Sequence, residues 1–351
     1  MSKFAIIGVF DFKNLSTGGQ PVKTRNLYQL LSEKYGANEV SYIETYGWKK
    51  HPFKMIAAVR RAVKQSENVI MLPAHNGVKI FTPLLLRYAK GTSARLFYDV
   101  IGGWLPQKTE ADKKLAAQLR RFDGVWVETS SMKSALERQG FSNVSVIPNF
   151  KFITPLPPEE LPPLEKPYRL CTFSRVMKEK GIEDAIEAVS RVNDDFGETV
   201  FTLDIYGPVD ANQTEWFNKL QTVFPQYVHY CGCVNSNKSV DVIKDYFALL
   251  FPTFYDGEGF AGTLIDAFSS GVPIIASDWK YNPEIVHENV GFIYPTGNVK
   301  AFVAILKNVA TNPKVIIDKK LYCLQEAIKY SSVGVAEAIT KELNRKTRKR
   351  I

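Results

Sequence analysis

The chain has 351 residues, of which 45% are hydrophobic and 23% charged. That is room for two domains and an ordinary globular balance, which excludes a mainly disordered or low-complexity chain. Charge is unevenly divided: residues 1–150 carry 22 Lys and Arg against 11 Asp and Glu, residues 151–340 carry 17 against 24, and residues 341–351 carry 6 against 1. A basic front half suits a polyanionic partner such as nucleic acid, an anionic membrane surface or a phosphorylated substrate. The four cysteines, Cys171, Cys231, Cys233 and Cys323, are too few and too unevenly placed for a disulfide framework, and none pairs with a histidine at zinc-ligand spacing. A cytoplasmic setting is the expectation.

In chain order, short apolar, β-branched runs alternate with helical patterns. The opening run predicts a buried strand over 4–9; without a small-residue cleavage site it is not read as a signal peptide. Asn14-Leu15-Ser16-Thr17 and Gly18-Gly19 form the loop after it, and Pro21 suits the first turn of a helix over 21–35. Two glycines let a backbone approach a phosphate closely, and a flexible connecting loop is the competing reading. A strand over 40–44 follows, then a helix over 52–65. There Met55, Ile56, Val59 and Val63 share one side and Lys54, Arg60, Arg61 and Lys64 another. That pattern fits a surface helix packed on a sheet, and its charge fits anionic headgroups, to which the tail 345–350 adds.

A strand over 69–72 leads to His75 in LPAHNG, and a helix over 78–90 to a strand over 95–99 ending at Asp99, followed by Gly102-Gly103-Trp104. His75 and Asp99 at strand ends belong on a crevice wall, although a structural role for either is the competing reading. A helix over 110–121, strand over 125–128, helix over 131–139 and strand over 144–147 complete the first half. Residues 154–167, TPLPPEELPPLEKP, carry six prolines and can be neither helix interior nor central strand. They are expected to link the halves 1–153 and 168–331. The second half restarts the alternation with strands over 169–173, 200–206, 228–230, 248–251, 274–276 and 292–294, and a last helix lies near 333–346. Continuous rather than alternating apolar runs predict two parallel, doubly wound α/β sheets.

Two segments carry the chemistry. In LLFPTFYDGEGFAGTLIDAFSSGVPIIASD, 249–278, a strand gives way to an acidic glycine loop and a helix starting near Phe260. Its unpaired first-turn amides can hold a phosphate. Glu258 just before it and Asp266 about two turns in would then meet hydroxyls at either end of the ligand, which is the layout of a nucleotide diphosphate sugar. In the second, a strand leads into SRVMKEKG, where Arg175 and Lys180 can meet phosphate oxygens. A plain βαβ unit with a solvated loop and two surface cations is the competing reading.

Together these segments resemble the retaining, nucleotide-sugar-dependent glycosyltransferases of GT-B fold, family 4, also described as glycosyl transferases group 1. The family's Glu, seven residues, Glu stands here as Glu258-GFAGTLI-Asp266, with Asp in the second place. The resemblance covers most of 169–295. It implies two Rossmann-like domains facing a central cleft, with the segment 332–351 packing back on the N-terminal, acceptor-side domain. It implies that Arg175 and Lys180 neutralise the diphosphate and that Glu258 orients the donor sugar. Gly259, Phe260, Ala261, Gly262 and Thr263 would face the phosphates, Asp266 the ribose, and Gly207 and the Gly18-Gly19 loop the nucleotide side. His75 and Asp99 would serve the acceptor hydroxyl as base or hydrogen-bonding group.

The function so implied is transfer of a sugar from a UDP-linked donor to a hydroxyl of a glycan or lipid-linked glycan in cell-surface polysaccharide synthesis, without a metal or resident cofactor. The enzyme would sit in the cytoplasm, with the inner membrane face as a candidate contact. Alternatives are a nucleotide-sugar epimerase or hydrolase, or a non-catalytic basic membrane- or nucleic-acid-binding protein. Nucleic acid is disfavoured because aromatic residues do not interleave with the basic stretches. A dinucleotide-dependent dehydrogenase is disfavoured because Gly8-Val9-Phe10, not a glycine fingerprint, follows the first strand.

Overall fold

The computed structural model describes residues 2–13 and 18–345. The loop residues Asn14-Leu15-Ser16-Thr17 and the tail beyond Arg345 lie outside them. The chain divides into two compact units, one formed by 1–152 with 332–351 and the other by 153–331.

The first unit runs β1 (Ser2–Gly8), α1 (Gly19–Tyr35), β2 (Val40–Glu44), α2 (Pro52–Gln65), β3 (Ser66–Met71), α3 (Asn76–Ala89), β4 (Arg95–Asp99), α4 (Leu105–Ala111), α5 (Lys113–Leu119), β5 (Gly124–Val127), α6 (Ser130–Arg138) and β6 (Val144–Val146). All six strands are parallel, in the order β2-β1-β3-β4-β5-β6. The single helix expected over 110–121 is instead the pair α4 and α5. Asp112 breaks it, since its carboxylate caps the second helix by accepting from Leu115 N at 3.0 Å.

The second unit runs β7 (Tyr168–Phe173), α7 (Ile182–Phe196), β8 (Phe201–Tyr206), α8 (Thr214–Gln221), β9 (Val228–Gly232), α9 (Ser239–Ile243), β10 (Ala248–Phe251), α10 (Gly262–Ser269), β11 (Ile274–Ser277), α11 (Asn282–Ile285), β12 (Gly291–Tyr294), α12 (Val299–Thr311) and α13 (Lys314–Lys329). Its parallel sheet has the order β12-β11-β10-β7-β8-β9. Successive residues serve opposite faces: Leu170, Ala248 and Leu250 join one buried cluster, Cys171, Leu249 and Phe251 the other. Both faces are covered, which is why these strands read as unbroken apolar runs. The proline-rich segment packs on this unit: Leu156 is buried and its amide donates to Ser269 O at 2.7 Å.

After the second unit the chain returns to the first as α14 (Ser332–Asn344). Val335, Ile339 and Leu343 enter the buried cluster of Phe4, Ile6, Leu27 and Ile70. This i, i+4, i+8 spacing is one stripe of a helix. The carboxyl end of α14 is held by Arg95, whose guanidinium donates to Leu343 O. Among the described residues no helix is long and apolar enough to cross a membrane.

Candidate functional site

In a doubly wound sheet the loops splay apart where the strand order reverses, and ligands enter at the carboxyl ends of those strands. In the second unit the reversal lies between β7 and β10. That topology explains why segments 78 residues apart meet: the Lys180 ammonium forms an ion pair with Glu258 Oε2. Lys180 follows β7 and Glu258 follows β10. Both are largely buried, and Nζ also lies 5.1 Å from the Tyr255 ring centre, a cation–π distance. Thr253 Oγ1 donates to the same Glu258 oxygen at 2.9 Å. Sequence reading missed Thr253; its position directly after a strand at this reversal was the available signal.

Two glycines make the approach close enough. Gly181, at φ +69°, would place a Cβ 2.2 Å from Pro252 O, so any side chain there would push the β7 and β10 loops apart. Gly207, at φ +129°, would place one 1.8 Å from Ser174 O, beside Arg175. Arg175 is exposed and among the described residues its guanidinium reaches only Asp210, at 3.4 Å, a geometry that an anionic ligand could share.

The loop between β10 and α10 is strapped from the end of β11. Ser277 Oγ donates to Thr253 O at 2.6 Å, Trp279 Nε1 to Tyr255 O at 2.8 Å, and Lys280 Nζ to Asp256 O. Then α10 begins at Gly262, two residues later than expected. Its cap residue Ala261 supplies no side-chain hydrogen bond, and its first turn holds no acid. The Thr263 hydroxyl is buried without a partner among the described residues. First-turn amides without a side-chain cap, beside an unpartnered hydroxyl, are a donor set that suits an anion. Gly259 and Phe260 are buried, and the Phe260 ring packs edge-on against Tyr330 at 4.7 Å. Asp266 is only 3% exposed and accepts from Ser239 Oγ at 2.9 Å; the structure does not bring it to the Lys180–Glu258 pair. Among the described residues no three His, Cys, Asp or Glu side chains form a metal-holding group.

In the first unit the reversal lies between β1 and β3. Gly18 and Gly19 begin α1 there, with no side chain within 3.4 Å of either added Cβ. Glu44 ties down the loop after β1 by accepting from Phe10 N and Asp11 N at 3.1 and 2.8 Å. His75 follows β3, is exposed, and holds a strained φ of +43°. Its ring stacks on Trp104 at 4.7 Å. Partial burial, with Lys108 nearby, holds its pKa below the usual imidazole value, which favours the neutral ring at pH 7. Asp99 does end β4, but it is not on an open wall. It is 1% exposed and its carboxylate lies 2.9 Å from Lys23 Nζ, which also meets Glu128 at 3.0 Å and Val100 O at 2.7 Å. The expected acceptor-side group is thus a sealed ion partner. Neither Lys23 nor Glu128 had a local sequence signal, because the trio comes from α1 and the ends of β4 and β5.

The fold is that of GT-B glycosyltransferases, with two six-stranded parallel Rossmann-like sheets. Within it, residues 167–312 match the family described as glycosyl transferases group 1. The chain is 29% identical over 153 residues to the amylovoran biosynthesis glycosyltransferase AmsK of Erwinia amylovora, covering 41% of this chain and 36% of that protein. It is 34% identical over 137 residues to the UDP-N-acetylglucosamine–peptide N-acetylglucosaminyltransferase GtfA subunit of Streptococcus agalactiae, covering 37% and 25%. The chain thus spans about a third or less of the length of these relatives. Among solved structures, Anabaena HepE in complex with UDP and glucose superposes with a TM-score of 0.73 at 13% identity, over 99% of this chain and 100% of that one.

Proposed function

We propose that this protein is a retaining glycosyltransferase that moves a sugar from a UDP-linked donor to a hydroxyl of a glycan or lipid-linked glycan in polysaccharide synthesis. One observation carries the reading: Lys180 and Glu258 meet at the reversal of the second sheet, near a helix start that has no side-chain cap and whose Thr263 hydroxyl is buried without a partner among the described residues. UDP is favoured because the GtfA relative is named for a UDP-sugar and HepE was solved with UDP and glucose. A polysaccharide product is favoured by the amylovoran relative.

In this reading the Lys180–Glu258 pair is the resting state. An arriving diphosphate takes the ammonium, together with Arg175, the amides at the start of α10 and the Thr263 hydroxyl. That leaves Glu258, steadied by Thr253, to accept hydrogen bonds from the sugar hydroxyls. The bond between the sugar's anomeric carbon and the β-phosphate oxygen breaks as the acceptor oxygen bonds on the same face. The acceptor proton passes to the departing diphosphate. Fixed cations and dipoles around that leaving group supply the main electrostatic stabilisation. Gly207 and Gly259 serve the nucleotide side through their backbones. Ribose binding by Asp266 requires its carboxylate to be reached alongside Ser239. His75, neutral and stacked, is the acceptor-side group; Asp99 acts only through Lys23.

A thermal-shift screen of UDP, GDP, ADP and dTDP and their sugars tests the donor, since a ligand of the native state raises the midpoint. We expect a UDP species to raise it most. No shift with any nucleotide overturns the reading, and donor consumption without an acceptor would redirect it to a hydrolase or epimerase. Lys180→Ala and Glu258→Gln should each lower transfer by about 100-fold or more, the scale of losing one preorganised stabilising group. Near wild-type turnover in either variant would remove its assigned role.

A further inference from the structure

From Thr45 to Ser66 the chain has no Asp or Glu but six cations: Lys49, Lys50, Lys54, Arg60, Arg61 and Lys64. All six are exposed, and none has an acidic partner among the described residues. The apolar side of α2 packs on the protein itself, with Val59, Ala62 and Val63 buried and Met55 and Ile56 half-buried. What remains outward is a cationic stripe. At 3.6 residues per turn, Phe53, Lys54, Ala57, Arg60, Arg61 and Lys64 fall within about a third of the helix circumference.

Two aromatic rings mark the amino-terminal end of this stripe. Phe53, in the first turn of α2, is 85% exposed, and Tyr46, in the turn before it, is 72% exposed. No core contact explains a phenylalanine placed so far into solvent. A leaflet of anionic lipid offers what both features lack: negative charge spread over a plane, and an apolar layer just beneath it for a protruding ring. A nucleic-acid strand fits less well, because the rings stand together at one end and do not alternate with the cations as a stacking platform would.

We propose that the outward face of α2, with the turn before it, docks onto a bilayer surface rich in anionic lipid. The binding is electrostatic along the helix and is anchored by Phe53 and Tyr46 at its start. It does not depend on the donor assignment, since no residue of the stripe belongs to that site.

Vesicle flotation of the full chain tests it. Vesicles of phosphatidylcholine alone are compared with vesicles of phosphatidylcholine and phosphatidylglycerol in equal parts. The protein should float with the anionic vesicles only, and be released as salt rises past about 0.15 M, where screening reaches about 8 Å. R60E/R61E/K64E should lower the partition coefficient about tenfold or more. Phe53→Ser should lower it severalfold while leaving the melting temperature unchanged, because the ring supports no core. Absence of flotation at low salt, equal flotation with neutral vesicles, undiminished binding by the charge-reversed variant, or tighter capture by a single-stranded oligonucleotide would each overturn the proposal.

Discussion

Lys23 sits in the interior with two carboxylates around it, and charge arithmetic alone leaves that trio one negative charge in excess. Burial pushes the Asp99 carboxyl up to about 6, against the pull of Lys23 and with Glu128 adding to the rise. The folded protein therefore holds this proton more tightly than the unfolded chain does. Asp99 lowers stability as pH rises from about 4 to about 6. In urea melts, Asp99→Asn should compare more favourably with wild type at pH 7 than at pH 4. Lys23→Met is the opposite case, leaving two buried carboxylates without their ammonium, and should cost about 3–5 kcal/mol.

A different lysine has no ion-pair contact among the described residues, with Asp245 acting on it only at a distance. Lys320 on α13 is 3% exposed, its Nζ has no hydrogen-bond partner among the described residues, and burial pushes its pKa down to about 8. The unfolded chain holds that proton more tightly. The penalty is present in full below about pH 8 and fades as pH rises towards 10.5. Lys320→Met should raise stability at pH 7 by about 1–3 kcal/mol, with the gain shrinking in alkaline melts.

At the scale of elements, most strands were legible because burial on both faces leaves an unbroken apolar run. The amino-terminal extension of β3 was not. Ser66, Glu67 and Asn68 are polar, yet they join the sheet through Ser2, whose hydroxyl is 2.9 Å from that of Ser66, and through Asn68 Nδ2 donating to Lys3 O. A pattern of hydrophobicity is blind to such pairs. The break at Asp112 was missed for a related reason: capping chemistry overrode a helical period that runs on through it. The candidate site was legible in its residue types, since Glu258, Lys180 and Arg175 stand in characteristic local strings. Their pairing was not, because only the strand order places β7 beside β10.

The helix α14 belongs to this scale too, and its stripe should carry large energies. Ile339→Ala or Leu343→Ala should destabilise the first unit by about 2–5 kcal/mol in denaturant melts. Val333, which is exposed, should tolerate the same truncation within about 0.5 kcal/mol.

For the molecule as a whole, the two units differ in how they are written along the chain. Residues 153–331 are continuous, with their own two buried clusters. A fragment of that span should melt cooperatively, and on the proposed function it should be stabilised by UDP. Residues 1–152 alone lack Val335, Ile339 and Leu343 and should melt well below the intact protein, or bind a hydrophobic dye. A fragment 153–331 with no cooperative transition would show that its core is not self-sufficient.

That arrangement has a consequence for synthesis on the ribosome. Domains usually complete in the order in which they emerge. Here the amino-terminal sheet waits, with part of its hydrophobic surface uncovered, until the whole second unit and then α14 have been translated. The half that emerges first is the half that closes last, and in a living cell that interval is when a chaperone would find it.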